Sequence, residues 1–568
     1  MQTTIFIGFY FLLLISVIGY GFIFQSIFYK NSIKHILYGK FIGFYGLALI
    51  TFISYITNLF YPHSLLHNSI IHLVGFSLGI FYLVSKKKYI LLKNLILISL
   101  LLLLAIFISK PNEDFPYYHL PYTNYLIENK LIFGMGHLNH GYNLLSSIFN
   151  FNSTLYLPYI KFYSFHYVYL FFLVFFNYYC LVEIFKDKEV NYIKIFYILS
   201  ILYFNPSFTR IAEYGTDKPG QLLIVILFIS FLKILTMNEL TKKIAYKKII
   251  FIIPLIFYCI TLKAYFLPYL LIFLTLIVFF KEDFILYFIK FLKNKLFIFC
   301  LLFVVLMFLH FFISSGCLVA PISQTCFGDN VIWGKDIIAI ERLNLWLEQW
   351  SKAGAGPNFR IDDPSQYIAF PNWVNNWFNR YFLIKVGDQV GIYISAVFLI
   401  FFSLFKMSKN KKFIKIINLK LFFWIQTIIF LIWFLKHPTL RYGGYAACFL
   451  FFSIPVTFYL SQFTPRENFF RNVKYLLIFL LIIFNLKNID RINVAFKRVD
   501  FYKYDNFPFY KIKTIEYKVL ETNMDLKIYS SQGEQCWATP SPCVKYGSFS
   551  HTIKSIFGYY LITPNRLK

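Results

Sequence analysis

Charge is scarce in this chain, and negative charge is scarcest. Of 568 residues only 14% are charged, 26 of them Asp or Glu against 55 Lys or Arg. Soluble domains carry about 25% charged residues, so an ordinary water-soluble class is excluded. An internal repeat, a heptad pattern and a P-loop are also missing, which removes solenoids, coiled coils and Walker-type phosphate cradles. No basic leader precedes the first apolar run, Thr4–Phe28, which is too long for a signal-peptide core. A cleaved leader is therefore not expected.

What the chain has is hydrophobicity, 58% hydrophobic and 22% aromatic residues, with a mean hydropathy of +0.61. Apolar runs near the length that crosses a hydrocarbon core recur along it. They fall at 4–28, 41–60, 66–84, 89–109, 162–183, 193–205, 219–236, 249–262, 264–280, 296–315, 389–405, 418–435, 444–461 and 475–487. The run 249–280 reads either as one long tilted helix or as two broken near Lys263. The fold expected is an all-α polytopic membrane protein of about 12–14 transmembrane helices, with interfacial helices in its external loops.

The net charge of +29 does not point to nucleic acid. Its lysines sit in short clusters between apolar runs instead of on one face of a domain. Clusters such as Lys86/Lys87/Lys88 and Lys242/Lys243/Lys247/Lys248 alternate with segments that lack them. The positive-inside rule places such clusters in the cytoplasm. Segments 110–161, 206–218, 316–388 and 436–443, and both termini, are then expected outside. On this basis residues 1–487 form the transmembrane domain and 488–568 a small C-terminal extracytoplasmic domain. Richness in Phe, Ile, Lys, Asn and Tyr fits an AT-rich bacterial genome, hence a bacterial inner membrane.

Four cysteines (Cys180, Cys259, Cys300, Cys448) lie inside apolar runs, and four form two close pairs in segments expected outside. Cys317/Cys326 and Cys536/Cys543 read as disulfides of an oxidising compartment. Zinc is the rival reading, but neither pair has Cys-x-x-Cys spacing or a nearby histidine set.

The polar residues that can carry chemistry concentrate in those same segments. Glu113 and Asp114 follow directly on an apolar run, where a carboxylate can act as a general base or hold a divalent cation, Mg or Mn. His119, His137 and His140 follow with Asn139 and the glycines 134, 136 and 141. No acid sits at a zincin position, so hydrogen bonding to substrate or plain interfacial packing is the expectation for these histidines. Arg210, Glu213, Asp217 and Lys218 crowd the second external loop, where the cations can clamp a phosphate. Lys263 interrupts an apolar run and must snorkel or pair with an anion. His437 and Arg441 occupy the turn HPTLRYGGY. Against each stands the plainer role of a solvated loop residue or a flanking cation.

An acid in the first large external loop, a second polar loop and a C-terminal external segment together resemble the GT-C superfamily of integral membrane glycosyltransferases. DFPYYHLP (114–121), SSGCLVAPISQTCF (314–327) with Trp333, HPTLRY (437–442) and GEQCWATPSPC (533–543) resemble, more closely, a family of uncharacterised bacterial multi-pass membrane proteins with that layout. The resemblance runs from about residue 110 to the C-terminus. It implies a catalytic acid at Asp114 or Glu113 and a polyprenyl-phosphate-linked sugar as donor, with a glycan, lipid or protein as acceptor. The family's spaced acid pair is replaced here by adjacent Glu113-Asp114, which departs from a shared metal site. The competing readings are a transporter or flippase for lipid-linked glycans and a non-catalytic assembly partner. The near absence of charge within the runs counts against transport.

Overall fold

The computed structural model describes residues 1–29, 37–108, 114–207, 216–236, 241–354, 363–409, 417–498, 503–522, 524–545 and 551–564. Glu113, Arg210 and Glu213 lie outside them. Among the described residues, 12 helices are long and apolar enough to cross a membrane, from Gln2–Phe28 to Phe469–Phe496. The chain is a multi-pass helical membrane protein. Two of the expected runs give shorter helices, 13 residues at Tyr89–Leu101 and 16 at Tyr192–Ser207, below the roughly 20 that span a bilayer. The first stops because the chain tightens into a 3₁₀ turn at Leu103–Phe107. Residues 249–280 are broken, with Lys263 extended (φ −160°, ψ 138°) between the helix ending at Leu262 and a 3₁₀ helix starting at Ala264. The Phe469–Phe496 helix runs on past residue 488.

Close helix contact in the first three spans rests on small residues. A Cβ added to Gly19 would stand 1.9 Å from the Gly75 carbonyl oxygen, and one on Gly46 would stand 1.8 Å from that of Val17. Without a hydrophobic drive between helices in lipid, such backbone proximity supplies dispersion contact that bulkier residues prevent. Elsewhere in the core aromatic rings pack among aliphatic side chains, as where Phe24 stacks on Tyr45 at 4.8 Å.

At one end of the bundle Glu183, 1% exposed, accepts from both Lys40 and Lys233. Lys233 lies on the Asp217–Thr236 helix, sixteen residues beyond Asp217. At ~1.5 Å per residue the two helix ends are about 24 Å apart.

The Asp217 end carries the irregular segments. The all-α expectation needs one correction there, because residues after 503 form short strands. Tyr517–Leu520 pairs antiparallel with Ile528–Ser531, which pairs parallel with Cys543–Lys545. His551–Ile556 and Tyr559–Pro564 form a hairpin. Alternating Tyr, Ile and Thr with a Phe557-Gly558 turn favour extended pairing over helix. This segment is stitched to the first large loop. The Phe133 amide donates to the Tyr560 carbonyl (2.9 Å), and the Ile562 amide to the Phe133 carbonyl (2.9 Å). Two disulfides, Cys317–Cys326 and Cys536–Cys543, close the loops that contain them. The second loop reaches the chain just after Asp114, where the Trp537 amide donates to the Pro116 carbonyl at 2.9 Å.

Candidate active site: two carboxylates on one arginine

Asp114, Asp217 and Arg441 come together from three distant parts of the chain. Asp114 precedes a wide helical turn, Phe115–His119, that continues into the Leu120–Glu128 helix. Pro116 near its start suits a position where an amide would otherwise go unpaired. Wide turns of this kind recur at functional sites. Asp217 opens the Asp217–Thr236 helix, where the positive end of the helix dipole favours a carboxylate.

Arg441 sits on a turn that its neighbours over-determine. The Leu440 amide donates to the Tyr381 hydroxyl (2.8 Å), and the Trp377 indole donates to the Pro438 carbonyl (2.6 Å). The Gln221 amide group donates to the carbonyls of Leu440 (3.2 Å) and Arg441 (3.3 Å), and its oxygen accepts from the Ala446 amide (3.0 Å). Gly443 has φ +87°, a region that excludes most side chains. The guanidinium is therefore aimed before any ligand arrives.

Arg441 Nη2 donates to Asp114 Oδ2 at 2.7 Å, and its Nε to Asp217 Oδ2 at 3.0 Å. Trp350 and Tyr442 each place a ring 5.6 Å from the guanidinium carbon, within cation–π range. The Tyr265 hydroxyl donates to the Asp217 backbone carbonyl (3.3 Å). Solvent still reaches 28% of the Asp114 side chain and 25% of that of Arg441, against 11% for Asp217. Asp114 is thus the carboxylate that an incoming molecule meets.

Electrostatics agree with that order. Burial works to raise the Asp114 carboxyl, but the guanidinium of Arg441, helped by the Lys263 ammonium, outweighs it and holds the group below its ordinary value. Asp114 is ionised at neutral pH. Lys263 acts electrostatically on Asp217, Arg441 and Asp114, and burial pulls its ammonium below the ordinary value. Two carboxylates, one guanidinium and one ammonium leave the group formally neutral. His119 stands in the wall beside Asp114, 2% exposed, with no hydrogen-bond partner on either ring nitrogen. Burial pushes its pKa to about 4, so the imidazole is neutral.

The structure separates the other expected residues. His140 Nδ1 lies 3.1 Å from the Tyr117 hydroxyl, and its ring packs 6.0 Å from Trp346 on the outer rim. His437 flanks the site, with Nδ1 3.4 Å from Ser351 Oγ and its ring 5.6 Å from that of Tyr442. His137 points away, into the C-terminal strands, with Nε2 3.0 Å from the Trp333 carbonyl and its ring 5.2 Å from that of His551. Lys218 is spent on the Ser207 carbonyl (2.5 Å) and the Tyr445 ring (3.7 Å). Tyr265 and Gln221 were not among the expected residues. Gln221 is the more legible of the two, as a lone amide inside an apolar run.

A divalent cation needs several free oxygen donors. Asp114 and Asp217 each commit an oxygen to Arg441, whose guanidinium stands between them. Among the described residues no group of three or more His, Cys, Asp or Glu is placed to hold a metal ion. The carboxylate pair as arranged fits a cation already supplied by the chain.

No curated protein and no solved structure matches the chain. Asp114, Asp217, Lys263 and Arg441 all lie within residues 1–449, the stretch matched by one family model. The chain belongs to that family, described as Domain of unknown function (DUF8201).

Proposed function

We propose that the protein is a GT-C-like glycosyltransferase. It transfers a sugar from a polyprenyl-phosphate-linked donor to an acceptor hydroxyl at the extracytoplasmic face of a bacterial inner membrane. The observation that carries this reading is the half-open Asp114–Arg441–Asp217 group at one end of a membrane bundle. The two disulfides at that end support an oxidising side.

The residues divide the work by charge. Arg441 and Lys263 offer a guanidinium and an ammonium to the phosphate oxygens, a pairing that the planar donor fork of arginine favours. Asp114 accepts a hydrogen bond from the acceptor hydroxyl. That oxygen attacks the anomeric carbon while the carbon–oxygen bond to phosphate breaks, and the electron pair leaves on the phosphate. The acceptor proton passes to the Asp114 carboxylate.

A carboxylate held below its ordinary pKa is a weak base. A phosphate arriving at Arg441 competes for the guanidinium that lowers it. Loss of that pairing raises the carboxyl toward a working value when substrate is present. Asp217 keeps the arginine aimed throughout.

The test is transfer by purified protein from polyprenyl-phosphate-sugar. Asp114→Asn is expected to abolish transfer while polyprenyl phosphate still raises the melting temperature, because a ligand bound only by the folded state stabilises it. Full transfer by Asp114→Asn would overturn the role of that residue.

A further inference from the structure

A separate cavity of about 480 Å³ opens at the other end of the helical stretch that begins at Asp114, lined by Ser64, Leu65, Leu66, Asn124, Glu128 and Ala538 among others. It lies fourteen residues from Asp114, roughly 20 Å along a helix. Its volume falls in the range of small-molecule sites.

Three features define its chemistry. Glu128 is the only charged residue lining it. The carboxylate accepts the Ser541 amide on Oε2 at 2.7 Å, and no described cation forms an ion pair with it. It also ends the Leu120–Glu128 helix, which has no basic residue in its last turn. Helix-end carbonyls therefore add to its negative potential. In a chain of net charge +29 this carboxylate is left facing the cavity.

The second feature is the first turn of the Leu65–Ser85 helix, which lines the same cavity and has Ser64 as its cap. The positive end of that helix dipole complements an anion. The third is the bilayer itself. Leu66, Ile70 and Leu73 on this candidate span are 71%, 53% and 65% exposed, an apolar stripe that lipid covers.

We propose that this cavity binds the headgroup of a membrane phospholipid bearing a primary ammonium. The ammonium donates to Glu128, the phosphate lies at the Ser64 turn, and the acyl chains follow Leu66, Ile70 and Leu73. A quaternary ammonium has no hydrogen to donate and fits less well. Ala538 belongs to the Cys536–Cys543 loop, whose Trp537 amide also holds the turn after Asp114. Lipid occupancy here therefore bears on the loop that supports the candidate active site.

Native mass spectrometry of the full chain in a non-glycosidic detergent tests this. The probes are dioleoyl phosphatidylethanolamine, phosphatidylcholine and phosphatidylglycerol at equal concentration. Wild type is expected to retain the ethanolamine lipid about tenfold more than the other two, the size of one charge-assisted hydrogen bond. Glu128→Gln keeps an acceptor for the Ser541 amide and is expected to lose the preference. Asp114→Asn is expected to keep it. Equal retention of all three lipids by wild type overturns the proposal without any variant. Retained preference in Glu128→Gln, or in Ala538→Trp, which fills the cavity, overturns it also.

Discussion

Two ionic clusters stand at opposite ends of the bundle, and they are built in opposite senses. At one end a single carboxylate, Glu183, holds two lysines, with both oxygens used and 1% of its side chain exposed. At the other a single guanidinium, that of Arg441, holds two carboxylates, and a quarter of it remains open. In the first the shared carboxylate is enclosed and saturated, so its chemistry is finished when the chain folds. The second is held in place from behind and open in front. Enclosure alone does not distinguish structure from function here; the distinguishing feature is which partner a newcomer can still reach.

Substitutions in the two clusters are expected to have opposite consequences. Glu183→Gln leaves the buried Lys40 and the half-buried Lys233 without their counter-charge and is expected to cost roughly 3–5 kcal/mol of stability. A large drop in melting temperature in detergent checks it. Asp114→Asn is expected to behave the opposite way, with transfer reduced at least ~100-fold and little change in melting temperature. Arg441→Lys keeps a positive charge but loses the fork that reaches two carboxylates. It is expected to weaken stabilisation by polyprenyl phosphate while leaving the fold intact.

Smaller effects sharpen the picture. Replacing Cys536 and Cys543 together by Ser frees the loop that holds Pro116 and is expected to cost about 2 kcal/mol. The loss should come with poorer transfer, because the turn after Asp114 loosens. Acid should also weaken the fold. Burial holds His63 at about 3 and both His119 and His437 at about 4. Their folded values lie below the unfolded one, so stability is full above about pH 6.5 and falls as pH drops toward 4. A melting series from pH 7.5 to 4.5 measures it, and His119→Phe is expected to flatten it.

Much of this was legible in the sequence because membranes constrain it so strongly. Apolar run length gave twelve of the fourteen expected spans, and the break at Lys263 was one of two readings open for 249–280. The two cysteine pairs announced their disulfides by position. Asp114, Asp217 and Arg441 each stood out as charge beside hydrocarbon. What remained hidden was that they meet, since 224 and 327 residues separate Arg441 from its partners and no local pattern encodes that contact. Gly75 and Gly79 in their small-xxx-small spacing carried the packing of the first spans, a signal of close approach and not of chemistry. The pairing of Phe133 with the last strand was equally silent, because one loop residue has no strand pattern.

If the Arg441 end of the bundle receives a lipid-carried phosphate and Asp114 works on what it delivers, one experiment reads both. The most direct measurement is the thermal shift of wild type and Asp114→Asn with polyprenyl phosphate and polyprenyl-phosphate-sugar, read together with sugar release. Stabilisation of both proteins by both lipids is expected, with release by wild type alone. Absence of any shift in wild type, or release undiminished in Asp114→Asn, would contradict it.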